Sequence, residues 1–373
     1  MYFVHPQIKL TQKNLKEISL CFFKFPQSEA LKKKFSFYFP DKQIVFTDMG
    51  RSAFRIMIEK MNLRNSEILF PAYICDIFLP ILKKYNLKPI FLDVDPKTFN
   101  IQTKDIEKKI TPQTKAIFIS HIYGLPNNIN PILKIAKKHK LKVMEDCAHC
   151  LGIKMNHKYL GNFGEAAMFS FYKSLPVIRG GMLICPKDWQ IDLDKTDFSL
   201  RDFLSFLNCF PCWAYIFKKL GNQVAPKIIR KEKLIKIGAI NKVSLNLINY
   251  FLNYHQQKSK KRIKLALSYQ QELKKLGFQI PKSKNNSFCY LSVLMPEKIK
   301  NKRDALVKEL QKRNVFCTRM WHQPLASHYD IKKYPFTLDI SQRIINFPLQ
   351  DFFEKKEVKK IVSETQKCLD IIE

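Results

Sequence analysis

The sequence predicts an α/β protein with a mainly parallel β-sheet covered by helices, followed by a smaller C-terminal α/β unit. Two patterns indicate this fold class. Short apolar, β-branched runs alternate with helical stretches between residues 43 and 186, and a helix, a strand and two further helices follow a segment of different composition. Since ligands bind at the carboxyl ends of the strands in such sheets, functional residues are expected there.

Six apolar runs predict the strands of the large sheet, and amphipathic segments such as residues 130–139 predict the helices between them. The runs read QIVFTDM, EILFPAY, KPIFLDV, KAIFISH, LKVMED and GMLIC. Because their order alternates strand and helix, the strands are expected to run mainly parallel.

The second half of the chain divides differently. Residues 188–245 mix Pro, Trp and Phe with basic turns, which indicates an insertion or linker, and 203–219 predicts an amphipathic helix. A long helix from 244 to 275, a strand SFCYLSVLM, a helix from 302 to 312 and a closing helix after 351 follow. We expect four parts, an N-terminal arm (1–40), a large domain (41–187), the insertion (188–245) and a small domain (246–373).

Composition excludes several classes of protein. With 46% hydrophobic residues among 373, the chain is not expected to be disordered. The 65 basic residues exceed the 32 acidic ones and give a net charge of +33, but they are scattered in small groups and accompany no nucleic-acid motif. The ten cysteines form no regular framework, and no apolar run is long enough to cross a membrane. We therefore expect a protein of the reducing cytoplasm.

A glycine turn ends the first predicted strand. In TDMGRSAF, Gly50, Arg51 and Ser52 come at the start of a helix, where backbone N–H groups bind phosphate. The alternative is an ordinary turn before a helix.

The stretch VMEDCAHCLG supports two readings. Asp146 ends a strand and His149 follows three residues later, so a carboxylate and an imidazole can together hold a ring with polar atoms. Alternatively, Cys147 and Cys150 can join Cys209 and Cys212 in a zinc site. We favour the first reading and expect no metal. A third reading of Asp146 is a cap of the following turn.

Lys173 follows an aromatic strand and precedes a Gly-Gly turn. Phe171, Tyr172 and Leu175 flank it, so partial desolvation is expected to lower its pKa and favour the neutral amine that attacks carbonyls. The alternative is a solvated surface lysine.

Phosphate turn, aspartate, lysine and Gly-Gly follow in the order typical of pyridoxal-phosphate (PLP) enzymes. Between residues 44 and 351 the chain resembles the DegT/StrS family of sugar aminotransferases, which have fold type I. The resemblance is densest in PIFLDVDPKTFNI, ITPQTKAIFISHIYG, IAKKHKLKVMEDCAHCLG, LGNFGEAAMFSFYKSLP and GGMLI. It implies a seven-stranded, mainly parallel sheet, bound PLP, and a homodimer with shared active sites.

The resemblance also implies roles for single residues. The family's aspartate, here Asp146, pairs with the pyridine nitrogen, and His149 hydrogen-bonds the phenolic oxygen. Lys173 bonds to the cofactor and then moves the proton as base and acid. The phosphate contacts match Ser170 together with Gly50, Arg51 and Ser52.

Some positions depart from the family pattern. Cys75 occupies the place of an aromatic residue that stacks on the cofactor ring, so either the thiol suffices or another ring, such as Tyr73, replaces it. Ser170 stands closer to Lys173 than the family's common spacing, and Arg179 replaces an acidic residue. The asparagine that reaches the partner's site aligns with Ile240, one residue before Asn241.

By resemblance, the reaction moves an amino group from glutamate to a keto group of a nucleotide-linked deoxysugar, for surface-glycan or related sugar biosynthesis. The candidate substrate contacts are His121, Tyr123, Arg319, His322 and His328, with a structural or solvated histidine as the alternative. Two other functions stay open. One is a dehydratase of the same family, in which a histidine replaces the lysine, and the other is a non-catalytic relative that contacts membranes through residues 203–219.

Overall fold

The computed structural model describes residues 1–219, 237–282 and 285–372. Seven strands form the large sheet, in the order β2-β10-β9-β6-β5-β3-β4. They are β2 (Gln43–Thr47), β3 (Glu67–Pro71), β4 (Lys88–Leu92), β5 (Thr114–Ser120), β6 (Lys142–Asp146), β9 (Ala166–Ser170) and β10 (Gly181–Cys185). Neighbouring strands are parallel except that β10 runs antiparallel to both β2 and β9. The prediction of a seven-stranded, mainly parallel sheet is confirmed.

Three two-stranded pairs lie outside the large sheet. They are β1 (Tyr2–Phe3) with β12 (Val315–Phe316), β7 (Lys154–Met155) with β8 (Lys158–Tyr159), and β11 (Leu291–Leu294) with β13 (Ile344–Phe347). The strand predicted for SFCYLSVLM is therefore shorter than expected and begins only at Leu291. The preceding residues bend, and Phe288 has a positive φ of 47°.

Helices connect and cover these strands. In chain order they are α1 (Gln12–Phe23), α2 (Ser28–Ser36), α3 (Gly50–Lys60), α4 (Leu79–Lys84), α5 (Ile129–Lys138), α6 (Leu200–Leu207), α7 (Pro211–Lys219), α8 (Lys242–Lys275), α9 (Arg303–Lys312), α10 (Pro335–Arg343) and α11 (Lys355–Ile372). Helix α5 illustrates the rule that the sequence pattern follows, because Ile129, Ile132 and Ala136 recur at helical spacing and are buried.

The large sheet is buried on both faces, as parallel sheets covered by helices are. On one face, Phe54 of α3 packs against Phe70 and Phe118, whose rings stack with centroids 4.6 Å apart. The C-terminal residues, among them Tyr269 and Phe347, form a separate hydrophobic cluster. The division of the chain at residues 40, 187 and 245 stays a prediction.

The antiparallel strand β10 completes the edge where the site forms. Gly181 begins β10 and pairs with Ser170 at the end of β9 and with Thr47 at the end of β2. A Cβ atom at position 181 would lie 2.4 Å from the carbonyl carbon of Met49. The turn after β2 can therefore approach this strand closely only because residue 181 is glycine.

The predicted amphipathic helix 203–219 forms two helices, α6 and α7. Phe206 and Phe210 are buried, whereas 41% of Phe203 and 44% of Trp213 are exposed. The aromatic residues therefore pack on the protein only in part. Within the described residues, no helix combines the length and the apolar character that crossing a membrane requires.

Candidate functional site

A cavity opens at the carboxyl ends of β2, β6 and β9. It lies where these strands bring together the glycine turn, the Asp146 segment and the Lys173 segment, which are far apart in the chain. The lining residues are Met49, Gly50, Arg51, Ile74, Cys75, Ile77, Phe78, Asp146, Ala148, His149, Met168, Ser170, Tyr172, Lys173 and Trp321.

The glycine turn supplies a helix N-terminus at one end of the cavity. Helix α3 begins at Gly50, and no side chain makes a hydrogen bond as its N-cap. The turn packs tightly against β9, since a Cβ atom on Gly50 would lie 3.1 Å from the carbonyl oxygen of Phe169. Gly50 and Arg51 line the cavity, whereas Ser52 does not and donates its hydroxyl to Asp48 Oδ1 at 2.6 Å.

Asp146 is buried at the end of β6 and holds two hydrogen bonds. Its Oδ2 accepts the hydroxyl of Ser120 at 2.7 Å, and its Oδ1 accepts the N–H of Ala148 at 2.9 Å. Burial raises the pKa of the carboxyl group, although both hydrogen bonds and nearby Lys173 act in the opposite direction. A cationic N–H group is therefore the partner that this carboxylate lacks.

His149 is held in one tautomer. Its Nδ1 accepts the backbone N–H of Tyr123 at 3.1 Å, and burial together with Lys173 lowers the pKa of the imidazole well below its ordinary value. A neutral imidazole that accepts at Nδ1 carries its hydrogen on Nε2. His149 can therefore donate one hydrogen bond from Nε2.

Lys173 is half-buried between two aromatic rings. Its Nζ lies 4.7 Å from the ring centroid of Tyr172 and 5.8 Å from that of Tyr290. The predicted lowering of its pKa was wrong. Burial does act to lower the pKa, but Tyr172, Tyr290 and Cys75 together raise it above the ordinary lysine value. The free protein therefore holds Lys173 as an ammonium cation.

Two positions that depart from the family pattern also lie at the cavity. Ser170 is buried at the end of β9, and Cys75 is half-buried in the segment after β3. Tyr73, the predicted replacement for a stacking ring, is fully buried outside the lining. Its hydroxyl contacts Tyr123 Oη at 2.8 Å and donates to the Met320 carbonyl at 2.9 Å.

Two of the predicted substrate contacts are structural. His121 is buried, accepts the N–H of Asn127 at Nδ1 and lies with Nε2 3.4 Å from Glu145 Oε2. Tyr123 is also buried, and its hydroxyl donates to the Met320 carbonyl. Neither lines the cavity, so we do not propose them as substrate contacts.

Three other candidates lie near the surface. Arg319 forms an ion pair with Asp304, His322 is exposed beside Trp321 in the chain, and His328 Nε2 lies 3.6 Å from Asp76 Oδ2. Asn241 accepts the N–H of Ser244 at 2.9 Å and so caps α8. This bond occupies the oxygen of Asn241 within its own chain.

The four cysteines of the zinc reading do not converge in the described residues. One group of possible metal ligands there contains Cys147, together with His121 and Glu145, and all three are buried. Both oxygens of Glu145 are already occupied, because they accept N–H groups from three backbone positions, Gly161, Phe163 and Gly164. This carboxylate fixes the loop before β9 and needs no cation to satisfy it.

The structure adds residues that the sequence did not indicate. Ser120 ends β5 beside Asp146, and the position of its strand next to β6 could have suggested this pairing. Tyr172, Tyr290 and Trp321 surround Lys173 and His149. No local pattern marks Tyr290 or Trp321, which come from the C-terminal part of the chain.

The polar groups of the cavity fit PLP. The start of α3 and Arg51 suit a phosphate, the buried Asp146 suits a protonated pyridine nitrogen, and the Nε2–H of His149 suits a phenolic oxygen. Lys173 provides the amine for an aldehyde. The cavity lining therefore offers a group complementary to each of these parts of the cofactor.

Known aminotransferases resemble this chain in sequence and in structure. A 24% identical relative, dTDP-3-amino-3,6-dideoxy-alpha-D-galactopyranose transaminase from Aneurinibacillus thermoaerophilus, aligns over 346 residues, 88% of this chain and 86% of that enzyme. Helicobacter pylori PseC, an aminotransferase involved in the biosynthesis of pseudoaminic acid, superposes with a TM-score of 0.76 at 18% identity, over 99% of this chain and 100% of its own. Bacillus subtilis NtdA with bound cofactor PMP superposes with a TM-score of 0.73 at 19% identity, over 97% and 83%.

The model of the DegT/DnrJ/EryC1/StrS aminotransferase family matches residues 12–366, nearly the whole chain. This match confirms the predicted family and enzyme class, and the structural relatives confirm the predicted fold. The chain belongs to the DegT/DnrJ/EryC1/StrS aminotransferase family.

Proposed function

We propose that the protein transfers an amino group from glutamate to a keto group of a nucleotide-linked deoxysugar. One observation carries the proposal, namely that Asp146, His149 and Lys173 line one cavity with the N-terminus of α3 at its end. The deoxysugar substrate rests on the transaminase relative from Aneurinibacillus thermoaerophilus, whose name contains a dTDP-linked amino sugar.

PLP, when bound, supplies an aldehyde that takes up the amino group and a ring that withdraws electrons. Asp146 would hold the pyridine nitrogen in its protonated form, because a cationic N–H partner would stabilise the buried carboxylate. His149 would donate Nε2–H to the phenolic oxygen and so orient the ring. Asp146 ends β6 and His149 follows only three residues later, so the backbone restricts their relative position.

Lys173 must lose a proton before it can act as a nucleophile or a base. The rings of Tyr172 and Tyr290 stabilise its ammonium form in the free protein. Once its Nζ has given up a proton, Lys173 would act as base and then as acid at the substrate carbon.

The structure offers fewer candidate contacts for the substrate than for the cofactor. Arg319 and His322 flank Trp321, which lines the cavity, and we propose them as contacts to the diphosphate of the sugar nucleotide. The net charge of +33 supports the approach of such an anion.

We also propose a homodimer with shared sites. The ten cysteines, all free thiols, support a reducing cytoplasmic compartment.

The visible absorption spectrum of the purified protein tests the proposal. We expect a PLP band that glutamate bleaches and that a nucleotide-linked keto sugar restores, with 2-oxoglutarate and the amino sugar as products. Lys173→Ala should lose the band after dialysis, whereas Lys154→Ala, an exposed lysine outside the cavity, should keep it. Failure to bind PLP even after reconstitution would contradict the cofactor assignment.

The same experiment separates the two alternative functions. A PMP-dependent dehydratase releases water from the sugar and does not depend on Lys173, and a non-catalytic relative retains the PLP band in the presence of both substrates. Amino-sugar formation that requires Lys173 excludes both.

A further inference from the structure

A cofactor ring in this cavity needs an apolar wall on each face, and the sequence leaves one wall without an aromatic residue. Cys75 lines the cavity where the family pattern has a ring, and Tyr73 is buried outside the lining. On the basis of the proposed PLP site, we propose that Trp321 covers the open face of the cofactor ring, and that Cys75 is small because the indole occupies the space of the missing ring.

The orientation of the indole supports this role. Trp321 lies 25° from parallel to the imidazole of His149, with ring centroids 5.6 Å apart. At this angle and separation the indole plane lies beside the imidazole plane and nearly parallel to it. His149 is expected to donate its hydrogen bond within the plane of the cofactor ring. The indole of Trp321 is therefore oriented to stack on the face of the cofactor ring rather than to meet its edge.

The small side chain of Cys75 leaves room beside it for the large side chain of Trp321. Cys75 and Trp321 both line the cavity, and although burial raises the pKa of the thiol, the neighbouring indole acts to lower it. A tyrosine or tryptophan at position 75 would compete with the indole for this space. A thiol at 75 and an indole at 321 therefore form one complementary pair.

The backbone of Trp321 adopts an unfavourable conformation that the surrounding residues hold in place. Its φ of 40° lies in the left-handed region, which non-glycine residues rarely adopt. The preceding residue, Met320, accepts hydrogen bonds at its carbonyl from Tyr73 and Tyr123, and its N–H donates to Asn346 Oδ1 at 2.8 Å. Side chains from both parts of the chain thus fix the loop that carries the indole.

Other rings near the cavity are less suited to this role. Tyr172 lies beside Lys173 in sequence and faces its Nζ, and Tyr290 meets His149 edge-on at 87°. Tyr123 is nearly parallel to both Trp321 and His149, at 15° in each case, but it does not line the cavity. Among the described lining residues, Trp321 is the large ring that parallels His149.

Equilibrium dialysis of PLP against the apoprotein tests this inference by a Kd rather than by activity. We expect Trp321→Leu, which keeps an apolar side chain, to weaken PLP about tenfold, and Trp321→Phe to weaken it less. Trp213→Phe is the matched control, because Trp213 lies on α7 and outside the cavity, and its Kd should equal that of the wild type. Circular dichroism of each apoprotein checks folding.

A pair of exchange variants adds a second measurement. Cys75→Tyr alone should weaken PLP by crowding the indole, whereas Cys75→Tyr combined with Trp321→Ala should bind PLP more tightly than Trp321→Ala alone. Wild-type affinity in a folded Trp321→Leu protein would overturn the inference, as would a double variant no better than Trp321→Ala. If the wild type itself fails to bind PLP, the proposed function fails instead.

Discussion

The backbone N–H of Tyr123 donates a hydrogen bond to Nδ1 of His149 across 3.1 Å, and this contact decides what the imidazole can do. Tyr123 can present its N–H because it adopts a positive φ of 54° in the turn after β5. Neutral His149 must then carry hydrogen on Nε2. A side chain with a donor at the same reach should therefore substitute for it.

We expect His149→Gln to bind PLP within about threefold of the wild type, because the amide can donate in place of Nε2–H. His149→Leu should weaken PLP about tenfold or more, since it removes the donor and leaves the N–H of Tyr123 without an acceptor. Dialysis measures both. Equal affinity in the two variants would show that no donor is needed.

Stability should depend on pH through the same imidazole. The pKa of His149 is lowered well below 6.5 in the folded protein, so below pH 6.5 the unfolded chain binds a proton that the folded chain does not. The free energy of unfolding is therefore expected to fall by about 1 kcal/mol per pH unit for this residue as the pH drops below 6.5.

Denaturant titration of wild type and His149→Gln between pH 7 and pH 5 measures this effect. The wild type should lose more stability than the variant over that range. His255, whose pKa burial lowers to about 3, contributes the same slope to both proteins and cancels from the comparison. Parallel curves would rule out a neutral, buried His149.

We expect loss of the Asp146 charge to lower kcat strongly and loss of the Ser120 hydroxyl to lower it less. Asp146→Asn removes the charge that keeps the pyridine nitrogen protonated and should lower kcat by about 10²-fold or more. Ser120→Ala removes one hydrogen bond to Oδ2 and is expected to lower kcat about tenfold or less. Single-turnover kinetics with glutamate compares them. A Ser120→Ala loss as large as that of Asp146→Asn would mean that the hydroxyl has a further role.

Helix α6 provides a matched pair for stability. Phe206→Ala should lower the free energy of unfolding by about 3–5 kcal/mol, because the ring is 2% exposed and its loss leaves a cavity. Phe203→Ala, on the exposed face, should change it by less than about 1 kcal/mol. Urea unfolding measures both.

Binding of the wild type but not of Phe203→Asp to anionic liposomes would support the membrane alternative for residues 203–219.

Much of the site followed from chain order alone. Gly50, Asp146, Ser170 and Lys173 stand at or just beyond the ends of predicted strands, and strands of one sheet bring such ends together. Local patterns therefore predicted the fold class, and they singled out Asp146 and His149, which line the same cavity. The spacing of these residues needed no knowledge of distant contacts.

Other properties depended on contacts between distant segments. His121 also ends up after a strand, but its imidazole turns to Glu145 and away from the cavity. The pKa of Lys173 rises because Tyr290, 117 positions away in the chain, packs on it together with Tyr172. The segment that carries Trp321 is bound by Tyr73 and Tyr123, which follow β3 and β5 and donate to the Met320 carbonyl.

The sequence by itself determined the elements, their order and the residues at the strand ends, because these depend on periodicity and on neighbours in the chain. Tertiary structure alone decided which side chains line the cavity, in which direction their pKa values shift, and which ring lies beside Cys75. Those properties depend on side-chain direction and on desolvation by residues far away in sequence.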